Sequence, residues 1–209
     1  SIGESAFSGC SAVTNLKIGG TTNIESYAFD GLTSLKSLYV PVGTTLHEYS
    51  FNGATALKKL EADVALPAHS FENGGAIDTL VLDKNVVSIS YDWEGHSSSV
   101  SNRTVYVKNE NMLIQYYGNG GTYYSPLGSS GDVIVYVPAT SSVDLGESVN
   151  PSGDGKESTI TILQPADNKD GNFYLENAKD IKNIYIADVH TTIQGVALET
   201  KASINIGQN

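Results

Sequence analysis

The residues of this chain that could do chemistry are few and scattered. Cysteine occurs once, at Cys10, so a disulfide framework or a thiolate metal cluster has no second ligand within the chain. Cys10 alone could be a nucleophile. The same place in a repeating pattern described below holds Leu32, Ala54 and Ala178, so the expectation is a buried, chemically quiet cysteine. The four histidines, His47, His69, His96 and His190, show no HExxH and no paired spacing, which gives no zinc site. Asp167-Asn168-Lys169-Asp170-Gly171 resembles part of a calcium loop, but position twelve would be Ala178 in place of Glu, so a solvated turn is expected. No GxSxG or P-loop appears, and Gly118-Asn119-Gly120-Gly121 neither follows a clear strand nor opens a helix. Carboxylates are abundant, and a glycosidase needs only two at the right separation. A flat ladder of repeats, however, supplies no pocket to bring them together. The expectation is a chain with no catalytic centre, no cofactor and no metal.

Two columns of aromatic residues carry more information, and they become visible only through the elements that position them. Phe7, Phe29, Phe51, Phe71 and Trp93 recur at spacings of 22, 22, 20 and 22, and the first four follow a small residue, Ala6, Ala28, Ser50 and Ser70. Two residues after each ring come Gly9, Gly31, Gly53, Asn73 and Gly95, types that tolerate a left-handed backbone at the end of a short helical turn. Farther on, Val13/Leu16/Ile18, Leu35/Leu38/Val40, Leu57/Leu60/Ala62 and Ile77/Leu80/Leu82 repeat one apolar spacing, and the last two of each set alternate with polar residues as a half-buried strand does. The pairs Val105/Val107, Val135/Val137, Ile160/Ile162, Ile184/Ile186 and Ile204/Ile206 continue it. Rungs at 16, 38, 60, 80, 105, 135, 160, 184 and 204 therefore cover the chain.

This periodicity is that of a solenoid, in which each repeat buries its apolar face only against its neighbours. We expect one domain over 1–209, regular over 1–95, irregular with an insertion over 96–172 and regular again over 173–209. Residues 109 to 131 should hold a short helix and a long loop. The first layer, with Ile2, Ala6 and Phe7, and the last strand, near Ile204 and Ile206, should both be open ends, as in a piece of a longer chain or one with end-to-end contacts.

Ile2-Gly-Glu-Ser-Ala6-Phe7-Ser-Gly9-Cys10, then Val13-Thr-Asn-Leu16-Lys-Ile18 and Leu38-Tyr-Val40-Pro41, resemble the BspA-like, or Treponema-type, leucine-rich repeats of bacterial surface proteins. The likeness is strong over residues 1 to 89, moderate over 173 to 209 and weak between. It implies an α/β solenoid: a leucine-rich-repeat right-handed superhelix with a parallel β-sheet of about nine rungs and short helical or irregular connections. A right-handed parallel β-helix is the alternative fold. The resemblance also implies a secreted or surface-anchored protein, with adhesion to a host or extracellular protein or glycan. A structural spacer within a larger surface protein is the competing role.

The repeat fixes where the aromatic columns lie. The outward strand residues run Lys17, Tyr39, Glu61, Val81, Tyr106, Tyr136, Thr161, Tyr185 and Asn205, and Tyr39, Tyr106, Tyr136 and Tyr185 are the main candidates for binding. Tyr123 and Tyr124 of the insertion should loop beside Tyr106 and Tyr136. A second column, two residues before each ring, runs Ser5, Tyr27, Tyr49, His69 and Tyr91, with rings a rung apart, near stacking distance. Tyrosine is also simply a good strand residue, so packing against ladder neighbours accounts for part of this pattern.

Composition narrows the partners. With 23 acidic against 12 basic side chains the net charge is −11, which opposes the counterion release that drives nucleic-acid binding. No stretch is long and apolar enough to insert in a membrane.

Overall fold

In a computed structural model of the chain, residues 1–90, 92–95, 103–109 and 112 are described with their side chains. Beyond them the description is of the backbone of the strands that follow. The fully described part is a parallel β-solenoid of about four turns. Its principal sheet has eight parallel strands in chain order: Ser37–Val40, Lys59–Ala62, Thr79–Leu82, Arg103–Val107, Val133–Pro138, Ser158–Leu163, Ile181–Ile186 and Ser203–Ile206. The strands pair in the register that the apolar pattern requires: Leu38 with Leu60, Leu60 with Leu80, Leu80 with Val105, Val105 with Val135, Val135 with Ile160, Ile160 with Ile184 and Ile184 with Ile204. A shift of one residue would turn the buried side chains of Leu38, Leu60, Leu80 and Val105 outward, so burial holds the register of these coils.

The sheet has eight strands, not nine rungs. Leu16 and Ile18 pack on the core, Ile18 buried and Leu16 half-buried, but their segment forms no strand. Gly19 and Gly20 follow it, where Pro41 and Val42 follow the next strand, and glycine weakens an extended backbone.

The connections also differ from expectation. No helix occurs among the described residues. The Ala-Phe-x-Gly corner is a run of turns, because its amides are used between coils: Phe29 N–H donates to Ser50 O at 2.9 Å, Gly31 to Asn52 O at 2.8 Å, Phe51 to Ser70 O at 2.9 Å and Gly53 to Glu72 O at 2.8 Å. An α-helix would need those amides for its own carbonyls four residues back. Two left-handed residues per corner, such as Tyr27 (φ 57°) and Gly31 (φ 75°), also leave no room for a right-handed run.

A second, very short strand or a single bridge is added on the opposite side of the coils. Asn23–Ile24 pairs with Thr45–Leu46 and Ser88–Ile89 with Leu113–Ile114, while Ile2 bridges to Ile24 and Leu66 to Ile89, all parallel. A two-sided stack of this kind lies closer to the β-helix alternative than to repeats joined by helices. Between 109 and 131, where a short helix and loop were expected, Tyr117–Asn119 and Thr122–Tyr124 form an antiparallel pair after Leu113–Ile114. Gly171–Tyr174 and Thr191–Gln194 pair in parallel farther along.

The core lies between the two faces. Leu38, Val40, Leu60, Ala62, Leu80, Leu82, Val105 and Val107 enter from the principal sheet, and Ile24, Leu46, Leu66 and Ile89 enter from the other side. Phe29, Phe51 and Phe71 close the corner as a stack with centroids 5.1 and 5.2 Å apart. Phe7 stacks on Phe29 at 5.3 Å but is 47% exposed, because its coil has a described neighbour on one side only.

Candidate binding faces

Alternation along the strands whose side chains are described turns Tyr39 and Tyr106 outward. Tyr39 is 47% exposed and Tyr106 38%, between inward Leu38 and Val40 and inward Val105 and Val107. Their column is continuous in register: Tyr39 beside Glu61, Glu61 beside Val81, Val81 beside Tyr106, Tyr106 beside Tyr136, Tyr136 beside Thr161, Thr161 beside Tyr185 and Tyr185 beside Asn205. Tyr106 and Tyr136 are thus direct neighbours on adjacent strands. For Tyr136 and Tyr185 the backbone position alone is described. Val81 departs from the pattern: it takes an outward register position, yet it is buried at 8%. Tyr123 and Tyr124 lie in their own antiparallel pair, not in the principal sheet, with Tyr124 opposite Tyr117.

The second column is a ladder of parallel rings. Tyr27 and Tyr49 stack at 5.0 Å with planes 1° apart, and Tyr49 and His69 at 5.3 Å with planes 13° apart. All three are half-buried, and all three, like Ser5, have a left-handed backbone: φ is 56° at Ser5, 57° at Tyr27, 61° at Tyr49 and 55° at His69. That conformation costs a non-glycine residue roughly 1–2 kcal/mol. Ring stacking offsets it at about 0.5–1.5 kcal/mol a pair. Tyr91 lies outside the described residues.

Acidic side chains flank this ladder. His69 Nδ1 is 3.1 Å from Glu72 Oε2 and its Nε2 is 3.4 Å from Asp92 Oδ2. His47 Nε2 is 3.7 Å from Glu25 Oε2 and 3.1 Å from Asn23 Oδ1. Burial against its neighbours, and the charges of Glu72, Glu48 and Asp92, push the Tyr49 hydroxyl above the usual tyrosine range. Next to it, polar residues at one repeat position bond along the stack: Ser8 Oγ to Asp30 Oδ2 at 3.2 Å, and Asn52 Nδ2 to Asp30 Oδ1 at 2.7 Å.

Cys10 sits at the core position expected for it, packed against the apolar cluster, but is only partly buried. Its counterparts in the next two coils, Leu32 and Ala54, are fully covered at 1% and 0%. The difference comes from the coil, not from the residue. Asp167 to Asp170, His96 and His190 lie outside the described residues, and Gly171 opens a short strand. Among the described residues no three His, Cys, Asp or Glu side chains come together in a group able to hold a metal ion. A shallow depression of about 440 Å³ runs beside the short strands, lined by Thr44, Thr45, Leu46, Val64, Ala65, Leu66, Pro67, Ser88 and Ser90. No titratable side chain lines it, so it holds no acid–base pair.

One buried polar group was not anticipated from the sequence. Arg103 is 1% exposed, donates from Nε to Ile77 O at 2.8 Å and from Nη2 to Glu94 Oε1 at 2.5 Å, and lies 5.5 Å from the Trp93 ring centroid. Arg103 shares the inward parity of Val105 and Val107 and stands, by strand register, at the position that Asp78, Lys58 and Lys36 hold in earlier coils, where it is buried and they are not. Trp93 meets Phe71 edge-on at 74°, where the preceding rings stack flat. The signal available was the change of Phe to Trp at the ring position of this coil.

The stacked parallel coils, repeated corner and ladder of core rings define a repeat solenoid. Residues 1–100 match the family described as BspA type leucine rich repeat region, in six copies, and this part of the chain is such a region. Comparison with curated proteins and with solved structures returned no match. Repeats of this family are generally binding modules, typically non-catalytic and typically of bacterial surface proteins. No described helix is long and apolar enough to cross a membrane.

Proposed function

We propose that the chain is a single solenoid domain that acts as a non-catalytic binding module of a secreted or cell-surface protein, adhering to an extracellular protein or glycan through the outward face of its principal sheet. The observation that carries this reading is the adjacency of Tyr106, exposed at 38%, and Tyr136 in one outward column that also holds Tyr39 and Tyr185. Tyrosine there offers apolar area and a polar tip at low entropy cost, the composition of an interface centre. Burial does not account for an exposed ring between two inward valines.

The test is a screen of the isolated chain against immobilised matrix proteins and glycans, followed by Tyr106→Ala and Tyr136→Ala. Each substitution should weaken binding by more than about 1 kcal/mol, with an unchanged circular dichroism spectrum and melting profile. A folded double variant that binds as the parent does would return the chain to the role of a spacer.

A further inference from the structure

The basic residues of the first three coils are gathered on one side of a strongly acidic chain. Residues 1–90 contain five basic side chains, Lys17, Lys36, Lys58, Lys59 and Lys84. Lys36, Lys58 and Lys59 lie at the start of the principal strands and Lys17 in the strandless segment of the first coil, and all four are exposed. The acidic residues Glu4, Glu25, Asp30, Glu48 and Glu72 lie at the ring-bearing corner instead, leaving Glu61 and Asp78 as the carboxylates at the entry to, or in the outward column of, these strands. The cross-section is therefore polarised, positive along the strand entry and negative along the corner.

Backbone pairing shows how closely the lysines are grouped. Lys58 N–H donates to Lys36 O at 2.9 Å, Lys59 pairs in register with Ser37, and Tyr39 pairs with Glu61. Lys17 precedes Tyr39 by the same 22 residues that separate Gly20 from Val42, and Gly20 lies directly over the Val42 carbonyl. Among the described residues, Lys17 and Lys36 make no side-chain hydrogen bond or ion pair. Lys58 Nζ donates to Ala76 O at 3.1 Å, which leaves two of its hydrogens available. Lys59 Nζ is 3.8 Å from Glu61 Oε2 with both side chains open to solvent, a weak pair. Four exposed lysines thus lie on and beside the first strands, near the position of Tyr39, with Glu61 and Asp78 as the carboxylates among them.

We propose that this strip binds an anionic polysaccharide, one bearing sulfate or uronate groups, laid along the stacking axis across Tyr39. The proposal rests on the reading that the outward sheet face is the binding face, and it assigns that face's ligand class at its N-terminal end. Coils stack about 4.8 Å apart, close to the length of one pyranose residue, so a polymer with regularly spaced anionic sugars meets cations from successive coils. The Tyr39 ring supplies a flat face for the sugar C–H groups. An acidic polypeptide fits less well, since an extended strand advances about 3.3 Å per residue and sends alternate side chains to opposite sides. Its acids facing the lysines would fall out of step with the coils.

The experiment is chromatography of the full chain on dextran sulfate and on neutral dextran at low ionic strength, with polyglutamate of equal charge as a soluble competitor. The parent should be retained on dextran sulfate, elute on addition of salt as exposed charges are screened, and pass through neutral dextran. Lys17→Gln/Lys36→Gln/Lys59→Gln should bind at least about tenfold more weakly, a loss of about 1.4 kcal/mol, while Lys84→Gln is retained like the parent. Should the triple variant fail to fold, Lys36→Gln, which removes no side-chain bond, should still elute at lower salt. Flow-through of the parent, equal weakening by Lys84→Gln, or displacement by polyglutamate as effective as by free dextran sulfate would each overturn the proposal. The wider reading fails separately: Tyr106→Ala/Tyr136→Ala leaves dextran sulfate retention intact and is judged on the screened partner alone.

Discussion

Leu60 is the residue on which the register of the solenoid can be tested most directly. It is 0% exposed and lies between Leu38 and Leu80, themselves 3% and 0% exposed, on paired strands. Leu60→Ala deletes three carbon groups, about 2.4 kcal/mol of transfer free energy at about 0.8 kcal/mol each. A cavity cost adds to this, and the range for buried leucine is about 2–5 kcal/mol. The ladders on both sides fix the neighbouring backbones, so collapse into the cavity is limited and the upper part of the range, about 3–4 kcal/mol, is expected. Leu16→Ala is the internal control: the same deletion in a half-buried residue outside any strand should cost about 1 kcal/mol. Urea melts followed by circular dichroism at several wavelengths suit the measurement, since a stacked array can lose coils separately and coincident transitions must be checked. A Leu60→Ala protein that melts like the parent, or a Leu16→Ala protein that suffers more, would refute the inward assignment of this column.

Four further outcomes follow from the same geometry. Arg103→Met removes the buried cation paired with Glu94 and should cost about 3–5 kcal/mol, whereas Arg103→Met with Glu94→Met should recover part of the loss; equal melting of the two variants would show that the pair is not coupled. Tyr49→Ala loses two stacking contacts yet keeps the left-handed strain, so Tyr49→Gly should be more stable than Tyr49→Ala by about 1 kcal/mol, read from paired melts, with the reverse order contradicting the strain. Burial raises the Asp83 carboxyl, but the Lys84 amide at 2.8 Å and Lys108 Nζ at 3.2 Å outweigh it and hold the group below its usual 3.8. The stabilisation from Asp83 is present above pH about 4 and is lost as pH falls through the lowered value, so Asp83→Asn should flatten the acid limb of the stability profile. Cys10, partly buried at a core position, should react with a thiol reagent more slowly in the native protein than in denaturant, and equal rates would place it at the surface.

The principal strands were legible because each carries two inward apolar residues at a spacing of two, repeated with the period of the rings. Eight of the nine expected rungs are strands at the expected residues; Leu16 and Ile18 keep the packing without the strand. The second column was legible as well, since residues at one repeat position must lie about one coil apart. The short strands were not seen, although Ile2, Ile24, Leu46, Leu66 and Ile89 recur with the same period. Two residues are too few for alternation to register. The corner misled because Ala-Phe-x-Gly carries the local signature of a helical turn, and what prevents the helix is not local: its amides bond to the next coil. Burial of Val81 and Arg103 was equally out of reach, because both depend on what neighbouring coils place beside them.

The same non-local logic bears on how such a fold makes a binding face. Along the stack, the outward strand position becomes a row whose inner members are held by pairing on both sides, with Tyr39 on an edge strand paired on one side. In the described coils that row changes character from coil to coil, from Lys17 and Tyr39 through Glu61 to buried Val81 and then Tyr106. Val81 separates the lysine-rich end from the Tyr106–Tyr136 pair by a covered position, so the face is divided into two areas and is not one uniform stripe. A ligand that spans both must bridge Val81, whereas separate ligands could occupy the two ends together. Substituting Val81 with Lys would place a fifth ammonium group between them. If the two areas act independently, retention on dextran sulfate should rise in that variant while binding of the partner selected through Tyr106 and Tyr136 stays as in the parent. Loss of both together would show a single continuous site.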